Sequence, residues 1–135
     1  MMEVAMAVAR RSRDETQRVG AVVCTAGWRI LGTGYNGPPA GSPDTLPMGG
    51  GMRHLWVIHA EENALLQAVA ADGWPLQGAR AFVTHRPCSR CVARLYHAGV
   101  ASATYMEDSL REDQRREVEA VEAVLSMQVE QFRWE

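Results

Sequence analysis

An α/β fold built on a five-stranded mixed sheet, with helices on both faces, is what the sequence predicts. Two observations carry that expectation. Apolar residues recur at helical spacing in four segments and as short β-rich runs in five, in the order α-β-β-α-β-α-β-α-β. The chain has 135 residues, 47% apolar and 22% charged, which suits a full hydrophobic core but is too short for two. Residues 1–135 are therefore expected to form a single domain.

Each element has its own justification. Val4, Ala5, Val8 and Ala9 recur at helical intervals, so residues 2–13 predict an amphipathic helix ending near "SRDE". "VGAVVC" (Val19 to Cys24) and "WRILGTGY" (Trp28 to Tyr35) predict a hairpin with its turn at Thr25 to Gly27. Residues 36–52, crowded with glycine and proline, must be a loop, and one of that length in a small domain is usually functional. After the short apolar run Trp56 to Ile58, "HAEENALLQAVAA" (His59 to Ala71) predicts a helix that "GWPLQG" ends. "ARAFVTH" (Ala79 to His85) predicts a strand and residues 88–99 a helix stopped by Gly99. Residues 101–106 predict a strand, residues 111–125 a charged amphipathic helix, and residues 127–134 a last strand.

Composition excludes several classes. No segment approaches the roughly 18 consecutive apolar residues of a membrane span. The N-terminal apolar run precedes its arginines, the reverse of a secretory signal, so a cytoplasmic chain is expected. Net charge is −2, and all fourteen basic residues are arginine. Long nucleic acid is held by a basic face, and this balance does not supply one. Three cysteines, an odd number, argue against a disulfide framework.

Two of those cysteines, Cys88 and Cys91, stand in a C-x-x-C pair behind Pro87, where a helix start favours thiolates. His59, opening another helix, supplies a neutral imidazole. A catalytic zinc keeps three protein ligands and leaves a position for water. Two thiolates and an imidazole neutralise that ion and leave it Lewis-acidic, and a nearby carboxyl must then move protons. H-x-E followed by P-C-x-x-C is the signature of zinc-dependent nucleobase deaminases. Here it reads His59-Ala60-Glu61, then Pro87-Cys88-Ser89-Arg90-Cys91.

Competing readings exist for each piece. The C-x-x-C pair also resembles a dithiol redox motif, which would leave His59 and Glu61 idle. A structural zinc closed by His85 or His97 is another, non-enzymatic alternative. Cys24 reads as core, and His54, His85 and His97 as surface or supporting groups. Periodicity does not separate Glu61 from Glu62: the first falls beside Ala64 and Leu65, the second beside Leu66 and Val69. Only the spacing from His59 selects Glu61.

"SRDETQRVGAVV", "ILGTGYNGPPAG", "IHAEENALLQA", "FVTHRPCSRC" and "YHAGVASATY" stand in the order and spacing of the deoxycytidylate deaminase family, which the chain resembles from about Met6 to Tyr105. The resemblance implies a three-layer α-β-α, cytidine deaminase-like fold whose last two strands run parallel. It implies zinc-dependent hydrolytic deamination of dCMP to dUMP, with Glu61 protonating N3 and helping ammonia leave. Tyr35 and Asn36 fall in the family's substrate loop, with Asn36 at the sugar, and Ala60 would present its backbone to the base. Arg18 and its neighbouring arginines offer cations for the 5′-phosphate, although a solvated helix end explains them equally well. No cysteine stands in residues 41–54, so one zinc per chain is expected. The resemblance also implies a homo-oligomer, hexamer or smaller, with dCTP and dTTP as regulators and Mg2+ beside the regulatory nucleotide. CMP, cytidine, deoxycytidine and modified cytosine nucleotides remain alternative substrates.

Overall fold

The computed structural model describes residues 1–48 and 50–135. The chain runs α1 (Met2–Ala9), β1 (Gly20–Cys24), β2 (Ile30–Tyr35), a single 3-10 turn at Arg53–Leu55, α2 (Ala60–Asp72), β3 (Arg80–His85), α3 (Ser89–His97), β4 (Ser102–Glu107), α4 (Glu112–Leu125) and β5 (Gln128–Gln131). The sheet order is β2-β1-β3-β4-β5. β1 lies antiparallel to β2 and β3, while β3, β4 and β5 run parallel, as the resemblance implied for the last pair.

Alternation along β1 sorts the layers. Val22 faces Met2 and Ala5 of α1, with Phe82 and Met106 alongside. Ala21 and Val23 face the other way, onto the main core formed with Ala64, Leu65 and Ala68 of α2, Val92 and Leu95 of α3, and Val118 of α4. The expected α-β-α layering is thus present, with one helix on one face and three on the other. Cys24, a strand residue expected to be core, is fully buried.

Two glycines decide how close α2 sits. A Cβ added at Gly32 would overlap the backbone of Ala64 and Ala68, and one at Gly34 would overlap that of Ala60 and Ala64. Strand β2 therefore lets the helix backbone rest directly on it, which fixes the height of the α2 N-terminus over the sheet.

Several boundaries differ from the sequence expectation, most by one or two residues. Helix α1 ends at Ala9 rather than residue 13 because Ser12 and Asp14 turn inward and are buried, Ser12 Oγ donating to Asn36 O at 2.8 Å. Strand β2 begins at Ile30 because Trp28 takes a left-handed φ of 69° within the turn. Strand β5 is four residues long rather than eight. The described part of residues 36–52 is loop, while Gly49 lies outside the described residues. Its base is tied to the next segment by mutual backbone bonds of Gly37 and Ile58, at 3.1 and 2.7 Å.

Candidate active site

His59 and Cys88 occupy the N-cap positions of α2 and α3, and neither side chain makes a capping hydrogen bond. Freed from capping, both turn toward a common point. His59 Nδ1 lies 3.3 Å from Cys91 Sγ and 3.7 Å from Cys88 Sγ, and the three donor atoms all fall within 4.8 Å of one another. Tetrahedral zinc with Zn–S of about 2.3 Å and Zn–N of about 2.0 Å would separate N and S donors by roughly 3.5 Å. The observed spacing brackets that value, so the donor set fits the ion in size as well as in chemistry. Among the described residues this is the one such group of three.

Proton affinities support the same reading. Hydrogen bonding from Cys91, helped by His59 and opposed by burial, pulls the Cys88 thiol down to about 3. The bond to Cys88 and burial push the Cys91 thiol the other way. One thiolate therefore forms readily, and the second needs a cation beside it. The bond to Cys88 also raises the imidazole of His59 against the pull of burial.

Behind the donors stands Glu61, only 5% exposed. Burial pushes its carboxyl up to about 7, so it can hold or release a proton near neutral pH. Glu62 sits differently: it is half-exposed and pairs with Arg94 at 3.1 Å. The structure separates the two because Leu66, which shares the Glu62 face, is 68% exposed, whereas Ala64 and Leu65 are buried beside Glu61. Histidines considered as a fourth donor are engaged elsewhere. His85 Nδ1 lies 3.0 Å from Thr84 Oγ1 and its Nε2 3.4 Å from Glu107, and the His97 ring stacks near Trp74 at 5.9 Å.

The donors open into a cavity of about 180 Å³. Its lining includes Asn36, Ala60, Glu61, Arg53, Gln17 and Arg86. Asn36 is held in place from both ends, its Oδ1 accepting from Val19 N–H at 2.8 Å and its Nδ2 donating to Gln17 O at 2.9 Å. Arg18 and Tyr35, expected at the substrate, are outside the lining. Extended backbone sends neighbouring side chains to opposite sides, so Gln17 and Val19 face the cavity while Arg18 is exposed, its Nε donating to Asp14 O at 3.3 Å. By the same alternation Asn36 faces in, and Tyr35 lines another hollow with Arg11, Asn63 and Gln67.

Sequence reasoning missed the groups that hold the rim. Asp14, 1% exposed, accepts from Thr16 and Gln17 N–H at 2.9 and 3.1 Å through Oδ1, and its Oδ2 pairs with Arg53 and lies 3.4 Å from Asn36 Nδ2. Its place amid charged residues hid it, although an aspartate that accepts from following N–H groups is a common turn device. Arg86, next to the zinc turn, donates to Asp108 at 3.0 Å and Glu122 at 3.2 Å, with its guanidinium carbon 5.4 Å from the Tyr105 ring centre. Gln17 Nε2 bridges the mouth to Ser109 Oγ at 2.7 Å. No helix among the described residues is long and apolar enough to cross a membrane.

Residues 1–107 match a family profile described as the cytidine and deoxycytidylate deaminase zinc-binding region. The chain is 32% identical over 120 residues to the deoxycytidylate deaminase of Mus musculus, covering 84% of this chain and 66% of that one. It is 35% identical over 120 residues to the deoxycytidylate deaminase of Mycobacterium phage D29, covering 78% and 91%. The crystal structure of dCMP deaminase from the cyanophage S-TIM5, in complex with dCMP and dUMP, is similar with a TM-score of 0.74 at 27% identity, covering 97% of this chain and 93% of that one. The chain thus spans just under two thirds of the mouse protein's length and most of the two phage proteins'.

Proposed function

Since this chain belongs to the cytidine and deoxycytidylate deaminase zinc-binding family, we propose that it deaminates dCMP hydrolytically to dUMP and ammonia, its 135 residues acting as one catalytic domain. The observation that carries the proposal is a buried carboxyl, Glu61, lining the same cavity as a His59, Cys88 and Cys91 donor set of zinc dimensions. Similarity to dCMP deaminases over most of the chain supports the choice of substrate.

His59, Cys88 and Cys91 would hold one zinc ion per chain, and when bound it supplies Lewis acidity toward a water at its open position. Glu61 would take a proton from the attacking water and pass it to N3 of the pyrimidine, then carry that water's second proton to the amine so that it leaves C4 as ammonia. A carboxyl balanced near neutral pH suits both directions of transfer. Ala60, buried and lining the cavity with its backbone, and Asn36, locked by Val19 and Gln17, hold the base and sugar against that carboxyl. The burial that raises Glu61 also keeps bulk water from competing for its proton.

Side-by-side turnover of dCMP, CMP, deoxycytidine and a hairpin RNA by the zinc-loaded protein tests this. Preference for dCMP is expected, and turnover of deoxycytidine with none of dCMP would contradict it. The same panel with and without dCTP, dTTP and Mg2+ tests regulation, and sedimentation tests the homo-oligomer implied by the resemblance.

A further inference from the structure

Besides His59 among the metal donors at the cavity floor, three side chains lining the cavity carry or can gain positive charge: Arg53, His85 and Arg86. They are not equally free to meet an anion. Burial lowers the proton affinity of His85, against the pull of nearby Glu107, and any charge it gains faces that carboxylate at 3.4 Å. The Arg86 side chain is 9% exposed and faces Asp108, Glu119 and Glu122 at 3.0, 3.9 and 3.2 Å, so its charge is already spent on carboxylates. Arg53 alone has charge and access together: its side chain is 30% exposed, and only one Nη atom pairs with Asp14. Among the described residues no other hydrogen bond ties its guanidinium, leaving most of the donor fork free.

Size and placement then decide what that fork meets. At about 180 Å³ the cavity is below the roughly 300–1,000 Å³ of pockets that enclose a whole ligand. A base at the floor leaves the 5′ end of a nucleotide outside or at the rim, where a half-exposed arginine stands. A planar guanidinium with free donors matches a phosphate in shape and charge. Asp14 is the natural aiming device. It is buried, its Oδ1 is fixed by two N–H groups, and its Oδ2 faces both Arg53 and Asn36. We infer that Arg53, aimed by Asp14, is the residue through which this cavity distinguishes a 5′-monophosphate from a nucleoside. The inference rests on the deaminase reading above. The bland account of the same pair is that Arg53 merely neutralises a buried carboxylate.

The two accounts differ in substrate dependence. For Arg53→Met the ratio of kcat/KM for dCMP to kcat/KM for deoxycytidine should fall about ten- to a hundredfold, chiefly through KM for dCMP. Inhibition by dUMP should weaken more than inhibition by deoxyuridine. Asp14→Asn keeps the acceptor of the two N–H groups but loses the charge that holds Arg53, and should lower the ratio by a smaller factor. Equal losses for both substrates, or none, would overturn the inference and leave Arg53 a counter-ion. Zinc content reports folding; if Arg53→Met loses zinc, Arg53→Gln, which can still donate to Asp14, is read the same way. A wild-type protein that prefers deoxycytidine overturns the deaminase substrate reading and this inference with it. A wild type that prefers dCMP, with variants of unchanged ratio, overturns this inference alone.

Discussion

At the floor of the cavity, His59, Glu61, Cys88 and Cys91 stand on the first turns of two helices seated on the sheet, whereas at the rim Gln17, Arg53 and Ser109 come from loops and one short turn. The floor is fixed by backbone contact: α2 rests on Gly32 and Gly34, its own Ala60, Ala64 and Ala68 fully buried against the sheet. The rim is fixed by polar links, among them Asp14 to Arg53 and Gln17 to Ser109. Chemistry that needs atoms placed to a fraction of an ångström sits where packing sets position. Recognition of the outer part of a ligand sits where hydrogen bonds do, and those yield more easily.

If that contrast holds, the largest effects belong to the floor. Cys88→Ser or Cys91→Ser should remove zinc and turnover together, read by metal analysis and dCMP assay. Next come the glycines beneath α2. Gly34→Ala and Gly32→Ala should each cost about 1–3 kcal/mol of stability by overpacking, measured by urea unfolding. Gly34→Ala should also lower kcat more than Gly32→Ala, because its clash is with Ala60, next to His59 and Glu61. Equal activity losses would break the claim that backbone contact places the floor.

Arg86 joins the two regions, linking the zinc turn to α4 through Glu122 and to the β4–α4 loop through Asp108. Arg86→Met takes the cation from Glu122 and leaves Asp108 with Arg115 alone, and should cost about 3 kcal/mol. Its signature is pH. Burial pushes the Asp108 carboxyl up, but bonds from Arg86, Leu110 N–H and Arg115 outweigh it and hold it below the usual range. A depressed carboxylate stabilises above its unfolded value of about 3.9 and loses that contribution as pH falls through its lower folded value. The wild type should therefore lose stability over that acid window, and Arg86→Met should lose less there. Smallest of all, Gln17→Ala opens one exposed rim bond and should cost under about 1 kcal/mol, with turnover changed only severalfold.

The same contrast explains what the sequence made legible. The floor is written in short motifs, since a metal and its proton carrier demand particular residue types at helix starts. The grouping of His59, Cys88 and Cys91 was accordingly readable, as was the order of all nine main elements. Periodicity could not rank Glu61 against Glu62 because Leu66 is apolar yet exposed, and only the fold reveals that. The rim was opaque for a different reason. Asp14 and Arg53 are 39 residues apart, and Gln17 and Ser109 are 92 apart, so no local pattern marks either pair. Arg18 and its neighbouring arginines read equally well as phosphate cations or as a solvated helix end, because sequence alone does not say which side chains face the cavity; Arg18 is exposed and outside its lining.

The central claim is that Glu61, and not its neighbour, moves the protons of a zinc-dependent deamination. Its most direct test is dCMP turnover by zinc-loaded Glu61→Gln and Glu62→Gln, with zinc content measured on the same samples. Glu61→Gln is expected to keep its zinc and lose at least about 10²–10⁴ in kcat, the range supplied by a positioned acid-base group. Glu62→Gln is expected to keep both zinc and turnover within severalfold, losing only a partly exposed pair with Arg94. A zinc-loaded Glu61→Gln that still turns over, beside an inactive Glu62→Gln, would contradict the account.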